Sequence, residues 1–90
     1  MSVAEGTVEI KNKLGLHLRA ATMLVKTAGK FSSAITLSRG KDRASARSVI
    51  SLITLGAGIG THLTVKAEGS DADQALKAME ALFNDKFGEE

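Results

Sequence analysis

The chain contains no cysteine, which excludes a disulfide framework and a thiolate metal site and fits a reducing compartment. It has no tyrosine and no tryptophan, its lysines and arginines are spread along the chain, and the net charge is only +2. Nucleic-acid binders concentrate basic charge on one face or expose stacking aromatics, so no nucleic-acid partner is expected. No apolar run approaches the roughly 18–20 residues that a membrane span requires. The opening Met1-Ser2-Val3-Ala4-Glu5 lacks the basic and then apolar segments of a signal peptide. These absences predict a cytoplasmic protein with no membrane partner. The chain has 90 residues, read as one domain over 1–90. A domain of this size buries roughly 60–68% of its unfolded surface. That leaves no room for a cleft between two lobes, so chemistry belongs on the surface.

What is present is a regular alternation of patterns. Thr7 to Lys11 alternates, with Val8 and Ile10 on one face, as a half-buried strand does. From Ala20 to Gly29 the helical stripe is Ala21, Leu24, Val25 and Ala28, and Gly29 reads as a C-cap at positive φ. Ala34 to Ser38 alternates with Ile35 and Leu37 inward. Arg39-Gly40-Lys41-Asp42 reads as a turn into a short strand over Arg43 to Ser45. Ser48 opens a short helix with Val49, Leu52 and Ile53 on its apolar side, and Gly56, Gly58 and Gly60 end it. Residues 62–67 alternate with Leu63, Val65 and Ala67 inward. Ser70 reads as an N-cap with Asp73 at the third helical position. The last helix repeats Ala75, Leu76, Met79, Leu82 and Phe83. The order βαββαβα, with strands apolar on one face only, predicts an α+β fold. Its antiparallel sheet is wet on one side and covered by three helices on the other.

The segment Gly15-Leu16-His17-Leu18-Arg19-Ala20 lies where a strand has ended and a helix begins. A helix start leaves N–H groups unpaired and carries partial positive charge, which suits an anion. Neutral imidazole is a nucleophile, and an unperturbed histidine titrates near pH ~6.5. Attack by His17 on a phosphoryl group would give a phosphohistidine, whose charge the amides and Arg19 would meet. Helix-end charge effects are worth roughly 0.3–1 kcal/mol each, which suits a group held without being trapped. Spacing alone leaves a second reading open, with His17 as a capping or surface residue.

The stretch from Asn12 to Ala21 (Asn-Lys-Leu-Gly-Leu-His-Leu-Arg-Ala-Ala) resembles the active-site segment of HPr, the histidine phosphocarrier of the bacterial phosphotransferase system. The resemblance continues through Ala44 to Ile50, Thr54-Leu55-Gly56-Ala57 and Ala67-Glu68-Gly69. It implies an open-faced β-sandwich with a four-stranded antiparallel sheet. It implies His17 as phosphoryl acceptor at Nδ1 and Arg19 as phosphate-stabilising partner. It also implies delivery from Enzyme I, itself charged by phosphoenolpyruvate, and passage to a IIA protein or domain. The chain would be a carrier rather than an enzyme, and a monomer with no cofactor. Two neighbours depart from the family's habit. Leu18 stands where a small residue is usual, and Ala20 where proline is common. The Ala20 amide is therefore expected to add a contact, either to phosphate or to a side-chain cap. Sugar-transport carriers share Thr54-Leu55-Gly56 and Ala67-Glu68-Gly69. Nitrogen-type carriers resemble Thr7 to Ile10, Ser48-Val49-Ile50 and the tail Ala81-Leu82-Phe83-Asn84 with Phe87.

Ser48 matches the position that a serine kinase, opposed by a phosphorylase, modifies in many HPr proteins. It is equally an ordinary N-cap. Leu18, Met23 and one of Val49 and Ile50 are expected to form an apolar docking patch near His17, with Thr22 and Lys26 on its edge. Gly56-Ala57-Gly58-Ile59-Gly60 ends a helix and lacks the Lys-Ser/Thr of a phosphate loop. His62 falls on the wet face of a strand, and two histidines without cysteine predict no metal site. Two other functions compete. A regulatory module acting through protein contacts alone would not need both His17 and Arg19. A hydrolase would need a base near His17, and the closest acid upstream is Glu9, on a strand.

Overall fold

The computed structural model describes residues 2–89, so Met1, used in reading the N-terminus, lies outside it. The first strand, β1, runs Ser2–Glu9 and is followed by helix α1, Leu18–Ala28. Strands β2, Ala34–Arg39, and β3, Asp42–Ser45, form a hairpin, and α2 spans Val49–Thr54. Strand β4, His62–Gly69, leads to α3, Ala72–Asn84, and a short 3-10 turn, Lys86–Gly88.

The sheet is antiparallel throughout, in the order β1-β4-β2-β3. Its register follows from the alternation of apolar residues. Gly6 pairs with Val65, Val65 with Leu37, and Leu37 with Ala44, so one inward row crosses all four strands. A slip of one residue would turn this row to solvent. Against it pack Ala21 and Leu24 of α1, Leu52 of α2, and Ala75, Met79 and Phe83 of α3, all fully buried or nearly so. Gly6 has a reason in packing: a Cβ there would stand 3.0 Å from Oε2 of Glu80 and 3.5 Å from a Leu76 methyl.

Several boundaries differ from those the sequence suggests. β1 begins five residues earlier, because its partner β4 offers a full ladder from Ser2↔Gly69 to Glu9↔His62. Gly29 does cap α1, but at φ −64°, with its N–H donating to the Val25 carbonyl; its site needs no left-handed glycine. On α2 the core residue is Leu52, followed by Leu55, while Ile53 is 38% exposed. The N-cap of α3 is Asp71 rather than Ser70, and Asp73 sits one position earlier than a capping-box acid would. Asp71 spends its carboxylate elsewhere. It accepts from the amide and hydroxyl of both Ser32 and Ser33, tying the α1–β2 connection to the start of α3.

Arg39 donates to the carbonyls of Leu55 and Gly56 at 3.0 and 2.9 Å, satisfying the end of α2. Arg47 reaches the carbonyls of Phe31 and Ser33. None of the described helices is long and apolar enough to cross a membrane.

Candidate functional site

Beyond β1 the chain stays pinned to the loop before β4. The Ile10 amide donates to Thr61, and the Gly60 amide donates to Ile10. A turn from Asn12 to Gly15 follows, closed by the Gly15 amide on the Asn12 carbonyl. Gly15 takes φ +67°, and a Cβ there would meet the Ala57 carbonyl oxygen at 2.6 Å. Only glycine fits so close to the loop after α2. The Leu16 amide then donates to that same Ala57 carbonyl, and Leu16 itself is buried. The turn is thereby fixed, and the next residue, His17, is delivered to the start of α1.

His17 is the N-cap of α1, with extended backbone at φ −82° and ψ −178°. Its Nδ1 accepts a hydrogen bond from the Arg19 amide at 3.3 Å. Its Nε2 lies 2.6 Å from Oε2 of Glu89, a residue 72 positions away in sequence. The imidazole is therefore held at both nitrogens, one by backbone and one by carboxylate. The His17 side chain keeps 27% of its surface exposed, and that of Glu89 keeps 13%. The cap is supplied to the amide of Arg19, not to that of Ala20, so the side-chain-cap role expected for the Ala20 amide is not what the structure holds. The reading of His17 as a cap and the reading of it as a nucleophile describe the same residue.

Asn12, fully buried, completes the site. Its Nδ2 donates to the Gly15 carbonyl at 2.8 Å and to the Glu89 carboxylate at 3.3 and 3.4 Å. The Glu89 carboxyl is held below the usual carboxylate range, chiefly by the His17 hydrogen bond. Burial works against this; the Asn12 amide and the charge of Arg19 add to it. The sequence places Asn12 in the motif without giving it a task, and it gives no sign of Glu89. Sequence proximity alone offered no acid beside His17; the fold supplies one from beyond α3. The signal that could have found it is Phe87, four residues after Phe83. Phe87 is fully buried against Phe83, edge to face at 5.0 Å, and folds the segment carrying Glu89 back over the site.

The remaining predicted residues lie on the two helices flanking the site. On α1, Leu18 is 65% exposed, Thr22 and Lys26 are exposed, and Met23 is half-buried. On α2, Ile50 is 76% exposed and Val49 half-buried, so Ile50 is the one that turns outward. Ser48 is the N-cap of α2, accepting from the Ser51 amide at 3.2 Å. His62 faces solvent opposite Glu9 at 3.9 Å, an exposed pair of the kind worth about 0–1 kcal/mol.

The arrangement offers a ring nitrogen with an acceptor electron pair at a helix N-terminus, part-exposed, with an exposed arginine two residues on. Residues 4–85 match the family described as the PTS HPr component phosphorylation site. The chain is 47% identical to phosphocarrier protein NPr of Shewanella violacea, over 99% of this chain and 98% of that one. It is 40% identical to phosphocarrier protein HPr of Treponema pallidum, over 93% and 96%. The crystal structure of HPr-C-His from Thermoanaerobacter tengcongensis superposes with a TM-score of 0.92 at 44% identity, over 97% and 98% of the two chains.

Proposed function

Since the chain belongs to the HPr family of phosphocarrier proteins, which accept a phosphoryl group on histidine from Enzyme I and pass it to a IIA protein, we propose that His17 carries the group on Nδ1. The observation that supports this most is the pair of contacts on the ring. Nδ1 accepts from an amide and Nε2 faces a carboxylate, so the unprotonated nitrogen, whose electron pair can attack once the amide is released, is Nδ1. Once Nδ1 bonds to phosphorus, the amides at the start of α1 and the Arg19 guanidinium face the phosphoryl oxygens. Their contributions are individually small, so the group stays transferable.

Docking to Enzyme I and IIA proteins is assigned to Leu18, Thr22, Met23 and Lys26 of α1 with Val49 and Ile50 of α2. Leu18 and Ile50 are large apolar side chains left to solvent on the helices that flank His17, and exposed apolar groups of that kind mark partner surfaces. Ser48 is a candidate for modification by a serine kinase and phosphorylase, because phosphate at a helix N-terminus is accommodated. The carrier is expected to act as a monomer. The 47% identity to a nitrogen-type carrier over nearly the whole chain favours the nitrogen branch over sugar transport.

The test is intact mass after incubation with Enzyme I, magnesium and phosphoenolpyruvate, run with nitrogen-type and sugar-type Enzyme I in parallel. One acid-labile phosphoryl group, absent from His17→Ala and acquired faster from the nitrogen-type enzyme, is the expected result. A His17→Ala variant that still takes up the group would refute the assignment.

A further inference from the structure

Glu89 stands at the site without any role so far. Its carboxylate lies 2.6 Å from Nε2 of His17 while the Arg19 amide points at Nδ1. An ionised carboxylate can only accept, and a backbone amide can only donate. The two contacts therefore agree on one tautomer, with the proton on Nε2 and the electron pair on Nδ1. Glu89 is in turn fixed by Asn12, whose Nδ2 reaches both its oxygens and the Gly15 carbonyl of the site turn. The segment before it is anchored by Phe87, fully buried although its φ is +55°. A non-glycine residue holds such a conformation only where packing compels it. The carboxylate is thus placed by the fold rather than by its own mobility.

We infer that Glu89 is a positioning residue for phosphoryl transfer: it holds the Nε2–H tautomer of His17 and offsets the positive charge that the ring acquires when Nδ1 bonds to phosphorus. The inference rests on the reading of His17 as acceptor. In the step, the Nδ1 electron pair gives up the Arg19 N–H and forms the N–P bond, leaving that amide to turn to a phosphoryl oxygen. The bond from phosphorus to the donor atom of Enzyme I breaks, and its electron pair stays on that atom of the dephosphorylated Enzyme I. The proton stays on Nε2, and the ring becomes an imidazolium hydrogen-bonded to the Glu89 carboxylate. In the reverse sense, on transfer to a IIA protein, the ring leaves as the same neutral tautomer. Triads in which a carboxylate orients a histidine use the same division of labour. Here the carboxylate comes from outside the phosphoryl-binding helix, so it acts without crowding the anion.

The test compares the parent with Glu89→Gln and Glu89→Asp by nitrogen NMR of the imidazole and by transfer kinetics from Enzyme I. The parent should show Nε2 protonated and Nδ1 unprotonated. Glu89→Gln, whose amide accepts or donates, should mix the two tautomers and lower the maximal transfer rate about tenfold, with KM for Enzyme I unchanged. Glu89→Asp should restore part of both. An unchanged tautomer and rate in Glu89→Gln would overturn the inference, as would a slower rate arising only through KM. His17→Ala run alongside separates the two claims. If it takes up no phosphoryl group while Glu89→Gln behaves as the parent, the acceptor assignment stands and the role of Glu89 fails.

Discussion

At the scale of single residues the site divides into what is local and what is not. Gly15, His17 and Arg19 are legible in the sequence because their relation is set by a few bonds of one turn. Asn12 sits in the same segment, but its task depends on being fully buried against Glu89 and the Gly15 carbonyl, which spacing does not announce. Glu89 was out of reach for a stronger reason, since no periodicity links it to a histidine 72 positions away. Ser48 is a residue-scale prediction as well. Its hydroxyl caps α2 by accepting from the Ser51 amide, and aspartate caps as well as serine. Ser48→Asp should therefore leave the stability in denaturant unfolding within about 0.5 kcal/mol of the parent. It should slow transfer from Enzyme I by placing charge beside the proposed docking helices. Unchanged transfer kinetics would remove Ser48 from the regulatory reading.

At the scale of elements, alternation located β1, β2 and β4, a turn signal located β3 and helical spacing located α1, α2 and α3, while their ends were decided by tertiary partners and the turn Lys86–Gly88 was not read. β1 is extended by β4, and α3 starts after Asp71, whose carboxylate makes no cap and is held instead by Ser32 and Ser33. Ile53 fits the apolar stripe by position yet is exposed, because a helix of six residues has only enough buried face for Leu52. The turn Lys86–Gly88 is the element that matters most for the site. It carries two non-glycine residues at positive φ, Lys86 at +54° and Phe87 at +55°. Each costs on the order of 1–3 kcal/mol, offset by burial of the Phe87 ring against Phe83. Phe87→Ala should destabilise the protein by about 3–5 kcal/mol in urea unfolding. In the folded fraction it should mix the His17 tautomers as Glu89→Gln does. Loss of stability with the tautomer intact would show that Glu89 holds its place without this anchor.

At the scale of the whole molecule, a one-faced sheet under three helices leaves the element ends as the places where chemistry can be mounted, and the site lies at one such end. The opposite end carries a different device. The Asp71 carboxyl is held down to about 2, first by the Ser33 hydroxyl and then by the Ser32 amide, against an ordinary value of 3.8. A carboxyl depressed in the folded state contributes stability that is present above its unfolded value and lost as pH falls through its folded value. Stability of the parent should therefore decline between about pH 3.8 and about 2. Asp71→Asn should be less stable at neutral pH and lack that part of the acid limb, as read by thermal melts across the range. Identical acid limbs in the two proteins would contradict this role.

The central claim concerns one atom, and the most direct measurement is nitrogen–phosphorus correlation NMR on the phosphorylated protein with isotopically labelled histidine. The account predicts that phosphorus couples to Nδ1 of His17, with a proton remaining on Nε2 beside Glu89. Coupling to Nε2, or to His62, would contradict it.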